Sequence, residues 1–386
     1  MKIGVEREDF LENFFEKKFL FAKGAFSGHG VEWVDIDDAL FSWSPDDGLI
    51  QLYKNGRIPV EEYVEHFDNM GLKHSRISKE IFYSYLIEGA TLVLNRLDTK
   101  SPSIHRLTLD VAKFVGEKAV ANGYLAFGGE GTFGKHWDTH DVFAVQLIGR
   151  KRWRVYEPTF QLPLPQQKSK NFKHQCPVEP VFDGILEQGD ALYIPRGWWH
   201  EAIPLENEET VHIAVGIHTL KVIDYLNWLC NSVVEQELSF RKTLKFEKEN
   251  QKMILIALKN LESAWIDPEN HRAFKDAQIG QERVNSAFHL QTIVGRQGAE
   301  VDSLDDFYLN SVYRRSLDGA SRVKVNGVFI NIDSESSSVM NAIITGDACG
   351  LDDLSLKIKR PEGENIRSLV AGLHRHDVVA RKRERR

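Results

Sequence analysis

Two stretches decide how this chain of 386 residues is read: GKHWDTHDVFAVQLIGRKRWR (134–154) and LEQGDALYIPRGWWHEAI (186–203). Each couples a polar cluster to a short run of β-branched and aromatic residues, with Gly, Asp or Pro at the breaks. On a strand, residues i and i+2 share a face about 7 Å apart, so His136 and Asp138 can converge on one metal ion. By itself the pattern says little. With 14 His a chance His-x-Asp is expected, and His66-Phe67-Asp68 is a second copy. That copy falls in PVEEYVEHFDNMGL (59–72), where apolar residues recur at helical spacing, and on a helix i and i+2 diverge by roughly 200°. A third ligand must come from His140, His200, His212 or His218. His140 lies ~13 Å along the strand from His136, too far for a compact site. His200 follows a turn at Gly189-Asp190, a strand over 191–194 and a second turn at Pro195-Arg196-Gly197. A later antiparallel strand of a double-sheet barrel can return to the place where His136 and Asp138 lie. Two imidazoles and one carboxylate form a facial triad with open positions, which suits non-haem Fe(II) activating O2.

Around these stretches, from Gly89 to Gly216, runs such as ATLVLNRL, GYLAFGG, KRWRVYEP and HIAVGI are divided by turn residues, the texture of a β-sandwich or barrel. Residues 8–20 (EDFLENFFEKKFL) are predicted to form an amphipathic helix with Phe10, Phe14 and Phe15 on one face. The helical period returns from Leu220 to about Leu309. A hairpin-like stretch (SRVKVNGVFINID), a helix (SSVMNAIITGD) and the basic end RKRERR follow. At ~150 residues per domain, the length predicts two or three domains. A net charge of −7 argues against affinity driven mainly by nucleic-acid phosphates, although RKRERR could grip RNA or an acidic partner. Cys176, Cys230 and Cys349 show no CxxC spacing, which speaks against a thiolate-held metal and for a reducing, cytoplasmic setting. No apolar run approaches the ~20 residues of a membrane span, and MKIGVEREDF lacks a signal core.

Lys151 follows Ile148-Gly149-Arg150 and is flanked by Arg152 and Arg154. An iron oxygenase needs a cation to hold the far carboxylate of a co-substrate that chelates the metal with its near end, and one lysine on a neighbouring strand suffices. Asn122 and Tyr124 offer polar partners for the same carboxylates or serve as structural strand residues. Trp137, Trp198 and Trp199 border the ligands and, with His140, are predicted to form an aromatic rim where substrate enters. Trp153 reads as core. Val222, Tyr225, Leu229 and Val233 form a stripe suited to internal core or to a dimer seam.

The run from GATLVLNRL through NGYLAF, KHWDTHDVFAVQLIGRKRWRVYEP and GDALYIPRGWWHEA resembles the JmjC-type, cupin-like 2-oxoglutarate/Fe(II) oxygenases, and among them the ribosomal-oxygenase subgroup. The opening FLENFFEKKFLFAKGAF is similar as well. The resemblance implies a mainly β double-stranded β-helix (jelly roll) over 1–219, a helical dimerisation region over 220–309 and a small α+β, winged-helix-like domain over 310–386. It places the iron ligands on His136, Asp138 and His200 and the 2-oxoglutarate anchor on Lys151, with Asn122 and Tyr124 beside the co-substrate. It implies Fe(II), 2-oxoglutarate and O2 as cofactor and co-substrates, a homodimer, and a protein or peptide substrate, with a ribosomal protein first. Two departures bear on the substrate. The anchor is Lys, as in the eukaryotic members, where the bacterial arginine hydroxylase has Arg. Where eukaryotic members have a co-substrate-contacting Ser, this chain reads His212-Ile213-Ala214-Val215-Gly216. Competing readings are hydroxylation of a peptide natural product or a tRNA base, or a cupin that binds metal without oxygenase chemistry. Lys151 discriminates against the last, which has no use for that cation.

Overall fold

The computed structural model describes residues 1–28, 30–129, 131–244, 250–281, 283–284, 286, 288, 306–310, 322–331, 334–345, 348–357 and 364–381. It divides into two compact units, Met1–Thr219 and Leu220–Arg386.

In the first unit the elements run α1 (Arg7–Asn13), β1 (Leu20–Ala22), α2 (Trp33–Phe41), β2 (Ile50–Tyr53), β3 (Val64–Asn69), β4 (Leu72–Ile77), α3 (Lys79–Ile87) and β5 (Thr91–Leu94). Then come α4 (Pro102–Val115), β6 (Lys118–Phe127), β7 (Asp141–Ile148), β8 (Lys151–Tyr156), β9 (Phe182–Leu186), β10 (Ala191–Ile194), β11 (Trp199–Pro204) and β12 (Glu209–His218). Seven strands form one antiparallel sheet in the order β1-β10-β7-β12-β6-β5-β2, and β11-β8-β9 form a second. This double-sheet, mainly β core has the form expected of a jelly roll.

Alternation along β7 and β10 shows how the layers are built. Phe143, Val145 and Tyr193 join a core cluster with Phe10 of α1 and with Ile104, Leu107 and Val111 of α4. Ala144, Leu192 and Ile194, on the opposite face, pack against Trp153, Val155, Leu186 and Trp198. The large sheet is thus covered by helices on one side and by the small sheet on the other, and β7 is buried along nearly its whole length. Helix α4 is well bounded. The Ser101 hydroxyl caps its start, Pro102 occupies the first turn, and Gly116 closes it at φ +87°.

Two expectations are corrected. Apart from one 3-10 turn at Val60–Glu62, the segment 59–72 is not helical: β3 and β4 form a hairpin that turns at Met70-Gly71, both with positive φ (51° and 77°), as a two-residue turn of this hand requires. His66 and Asp68 are therefore on a strand, and helical geometry does not keep them from chelating. Instead, both are exposed, and His66 Nδ1 lies 2.7 Å from Ser75 Oγ; no third ligand is grouped with them among the described residues. The helix expected over 8–20 ends at Asn13. Glu16 turns the chain at φ +59°, its N–H donates to Tyr193 Oη at 2.9 Å, and Leu20–Ala22 pairs with β10.

The second unit opens with α5 (Val222–Ser232), α6 (Leu238–Arg241), α7 (Asn250–Ile266) and α8 (Pro268–Ile279). Tyr225 and Leu229 pack internally against Phe274, whereas Val222 is exposed, so part of the predicted stripe is core. There follow β13 (Asp306–Leu309), β14 (Arg322–Val325), β15 (Val328–Asn331), α9 (Ser334–Thr345), β16 (Ala348–Gly350), α10 (Leu351–Lys357), α11 (Glu364–Arg375) and β17 (Val379–Arg381). Residues 306–309, expected in the helical region, are the central strand of the sheet β16-β13-β17 and contribute Phe307 and Leu309 to its core. Apart from Arg381, RKRERR lies outside the described residues. No helix among the described residues is long and apolar enough to cross a membrane.

Phe10 is fully buried, and its ring meets Phe114, Phe143 and Tyr193 at centroid distances of 5.2, 5.7 and 4.9 Å. Phe10→Ala should lower stability by about 3–5 kcal/mol, read as a shifted midpoint in urea unfolding.

Candidate active site

His136 and His200 face each other across a single antiparallel bridge. The His136 N–H donates to His200 O at 3.0 Å, and the His200 N–H donates to His136 O at 2.7 Å. Their rings lie 4.4 Å apart, and His200 Nε2 is 3.6 Å from Asp138 Oδ2. One nitrogen or oxygen from each of His136, Asp138 and His200 falls within 4.8 Å of the others, and among the described residues these three alone form such a group. His136 Nδ1 lies 2.9 Å from Gly134 O and His200 Nδ1 lies 3.0 Å from Trp198 O. Each Nδ1–H donates to a carbonyl, which leaves both Nε2 lone pairs free for a metal and fixes the rings' orientation. His136 and Asp138 are in the connection before β7 rather than on a regular strand.

The turn before His200 is held from below. Asp141, fully buried, accepts from the Tyr193 hydroxyl at 2.9 Å and from the Arg196 guanidinium at 3.1 Å. The Gly197 N–H donates to Asp138 O at 3.1 Å. Gly197 has φ +87°, and a Cβ there would lie 2.3 Å from Phe160 O, so the turn admits only glycine.

Burial, together with the His136 charge, pushes His200 down to about 4 and keeps it neutral and ready to ligate. Burial tends to raise the Asp138 carboxyl, but the charges of His200, His136, His140 and Lys168 outweigh it and hold it below its ordinary value. A neutral imidazole beside an ionised carboxylate is the donor set that a divalent ion requires.

The three ligands line a cavity of about 300 Å³ shared with Lys151, Tyr124, Trp153 and His212. Alternation along β8 separates the basic residues. Arg152 and Arg154 point outward to Asp183 at 2.6 and 3.1 Å, and Arg150 pairs with Glu208. Lys151 points inward, is 3% exposed, and has no carboxylate partner among the described residues. Burial alone brings its ammonium down to about 7. In register, Lys151 opposes Pro204 and Val155 opposes His200, so about 13 Å of ladder separates the two levels.

Other predicted residues fall elsewhere. Asn122 does not line the cavity. Its Oδ1 accepts from the Arg96 N–H at 3.0 Å, holding a residue at φ +57°, and its side chain is bonded to the Tyr124 hydroxyl. Three of the four predicted rim residues are corrected: Trp137 and Trp199 are buried in a cluster with Phe160 and Phe172, and Trp198 packs between the sheets, whereas His140 is half-buried, near enough to act on the Asp138 carboxyl, and stacks on His218 at 5.4 Å. Trp137 and Trp199 are immediate neighbours of ligands and turn to the opposite side. Thr91, Thr132 and Phe133, the last 41% exposed, line the cavity instead. Sequence reasoning weighed His212 only as a third ligand and did not place it beside Lys151. A buried strand histidine one ladder partner from Tyr124 was the available signal.

With this geometry in hand, comparisons give it a context. The JmjC domain family matches residues 98–225. The chain is 30% identical over 172 residues to the bifunctional lysine-specific demethylase and histidyl-hydroxylase NO66 of Drosophila mojavensis, covering 44% of this chain and 19% of that protein. It is 29% identical over 217 residues to ribosomal oxygenase 1 of Gallus gallus, covering 54% and 36%. The matched region thus spans well under half the length of these relatives. Among solved structures, the ribosomal oxygenase YcfD from Escherichia coli, in complex with cobalt and 2-oxoglutarate, superposes over 98% of both chains with a TM-score of 0.60 at 19% identity, a likeness of fold. Residues 98–225, a third of the chain, thus match the JmjC domain, and over this region the chain is similar to ribosomal oxygenases.

Asp138→Ala should abolish tight Mn(II) binding by calorimetry while leaving the circular dichroism spectrum unchanged. Because the Lys151 proton is held less tightly than in the unfolded chain, the metal-free protein should gain stability as pH rises from about 7 toward 10. Lys151→Met should remove that rise and stabilise the protein at pH 7 by about 1–3 kcal/mol in denaturant unfolding.

Proposed function

We propose that the protein is an Fe(II)- and 2-oxoglutarate-dependent hydroxylase of a protein or peptide side chain. The observation that carries this reading is one cavity holding both the His136–Asp138–His200 group and a buried lysine that has no carboxylate partner among the described residues. A ferrous ion with 2-oxoglutarate supplies the activation of O2 for insertion of one oxygen atom into a C–H bond. The two imidazoles and the Asp138 carboxylate would hold the metal on one face and leave the opposite positions open. Lys151 pairs with the distal carboxylate and orients the co-substrate, and among the described residues no acid is paired with its ammonium. Trp153, Val142 and Ala214 exclude water from the interior.

A polypeptide substrate approaching past Phe133 and Thr132 accords with the exposed position of Phe133 at the cavity. A basic ribosomal protein is the first choice, because the ribosomal oxygenases to which the chain is similar carry that name and the net charge of −7 steers cationic chains. Pairing of two copies through the helical segment belongs to the same reading; exposed Leu255 and Leu258 of α7 and Val222 of α5 support it. So does residence in the cytoplasm, which the free Cys176 and Cys230 suit.

The test incubates iron-loaded protein with 2-oxoglutarate and ribosomal proteins and searches for peptides heavier by one oxygen atom. Oxidation of a free metabolite or a tRNA base with every polypeptide unmodified would overturn the substrate. His136→Ala should abolish 2-oxoglutarate turnover. Loss of a charge-assisted bond worth about 1.5–3 kcal/mol means Lys151→Ala should raise the apparent KM for 2-oxoglutarate roughly 10–100-fold, with Lys151→Arg retaining part of the function.

A further inference from the structure

The end of the cavity away from the metal ligands contains more than one donor. Lys151 Nζ lies 3.5 Å from His212 Nδ1, and both groups are buried. The His212 ring is held between two aromatics: it stacks on Tyr124 at 5.0 Å with 9° between planes and meets Trp153 edge-on at 5.2 Å and 87°. Its place depends on an irregularity in the sheet. Val211 pairs with Ile148 and His212 with Gln146, so Leu147 is passed over and the register of β12 shifts at His212. Such irregularities re-aim side chains next to sites. Trp153 is two residues from Lys151 on the same face of β8, lines the same cavity, is 4% exposed, and its Nε1–H is buried without a partner among the described residues. An indole N–H in that condition costs stability unless a ligand accepts from it.

We propose that Lys151, His212 and Trp153 form one anion cradle in which His212 positions the lysine ammonium and Trp153 supplies a second donor, so that together they select a co-substrate bearing a distal carboxylate. This rests on the hydroxylase reading above and adds to it two residues that set co-substrate specificity. The Lys151 ammonium donates to His212 Nδ1, which fixes the imidazole as the neutral tautomer with its proton on Nε2. Burial, with the Lys151 charge, holds His212 well below its ordinary value, in accord with that tautomer. The groups sharing this space are His212 from β12, Tyr124 from β6, and Asp138 with the two ligand histidines from the metal side; Pro204 of β11 and Leu186 of β9, paired with Lys151, carry no charge. Asp138 lies at the metal end, and among the described residues no acid pairs with Lys151. With Lys151 brought down to about 7, a carboxylate binding at pH 8 must take up about one proton, and affinity falls as pH rises above 7.

The experiment measures binding, not turnover. Mn(II)-loaded protein is titrated anaerobically with 2-oxoglutarate, 2-oxoadipate and 2-oxopentanoate in two buffers of different ionisation enthalpy. The wild type should bind 2-oxoglutarate at least 30-fold more tightly than 2-oxopentanoate, which lacks the distal carboxylate, and take up about one proton at pH 8. His212→Leu should weaken 2-oxoglutarate at least 10-fold and shrink that preference. His212→Gln, which keeps an acceptor and a donor, should restore most of it. Trp153→Phe, which keeps the ring and deletes the N–H, should cost 3–10-fold for 2-oxoglutarate and little for 2-oxopentanoate. If His212→Leu does not fold, His212→Gln and Trp153→Phe carry the test. Wild-type affinity, selectivity and proton uptake in both His212→Leu and Trp153→Phe would overturn the cradle and leave the oxygenase reading standing. A wild type that binds Mn(II) but none of the three acids would overturn the oxygenase reading itself.

Discussion

The two reciprocal backbone hydrogen bonds between His136 and His200 are the constraint on which the site depends. They tie the connection entering β7 to the turn entering β11, segments more than sixty residues apart, and bring both imidazoles to one spot. Neither segment is regular secondary structure up to that point, so the bridge does locally what a ladder does along a strand. The Asp141–Arg196–Tyr193 network beneath it fixes the turn, and Gly197 lets the chain pass under Phe160 where a side chain would collide. With the Nδ1 atoms spoken for by carbonyls, the ligand nitrogens are oriented before a metal arrives.

The cavity beside the bridge exists because the two sheets are packed unevenly. Where Ala144, Leu192 and Ile194 meet Trp153, Val155 and Trp198, the space between sheets is filled. Toward β6 and β12 the facing positions are Tyr124, His212 and Ala214, and a pocket remains whose walls are mainly apolar, with Lys151, His212 and the three ligands among its polar groups. Burying a lysine and a histidine there without an acid is unfavourable for the empty protein. That unfavourable term is what makes the pocket selective, since a carboxylate relieves it and a neutral group does not. The Arg152 and Arg154 pairs with Asp183 on the outer face are exposed and contribute little to stability, but they leave Lys151 as the cation that turns inward.

The sequence by itself determined the class of the fold and the chemistry of the centre. Short apolar runs cut by Gly, Asp and Pro specify antiparallel strands, because strand periodicity is a local property, and the His-x-Asp pair followed by a turn-delimited His200 supplied the candidate ligand set. That His136 and Asp138 lie in the connection before β7 rather than on a strand, and that Trp137 and Trp199, read as rim residues, are buried away from the metal, was not legible there. What only the tertiary structure decided was everything set by partners distant in the chain. The Met70-Gly71 turn made a hairpin of residues whose apolar spacing is helical, because pairing across a two-residue turn outweighs a weak periodicity. Phe14 and Phe15 look like one helix face with Phe10 until Tyr193 and β10 compete for the chain beyond Asn13. The meeting of His212 with Lys151 depends on a register shift between β7 and β12, and no local pattern records which residue a ladder skips.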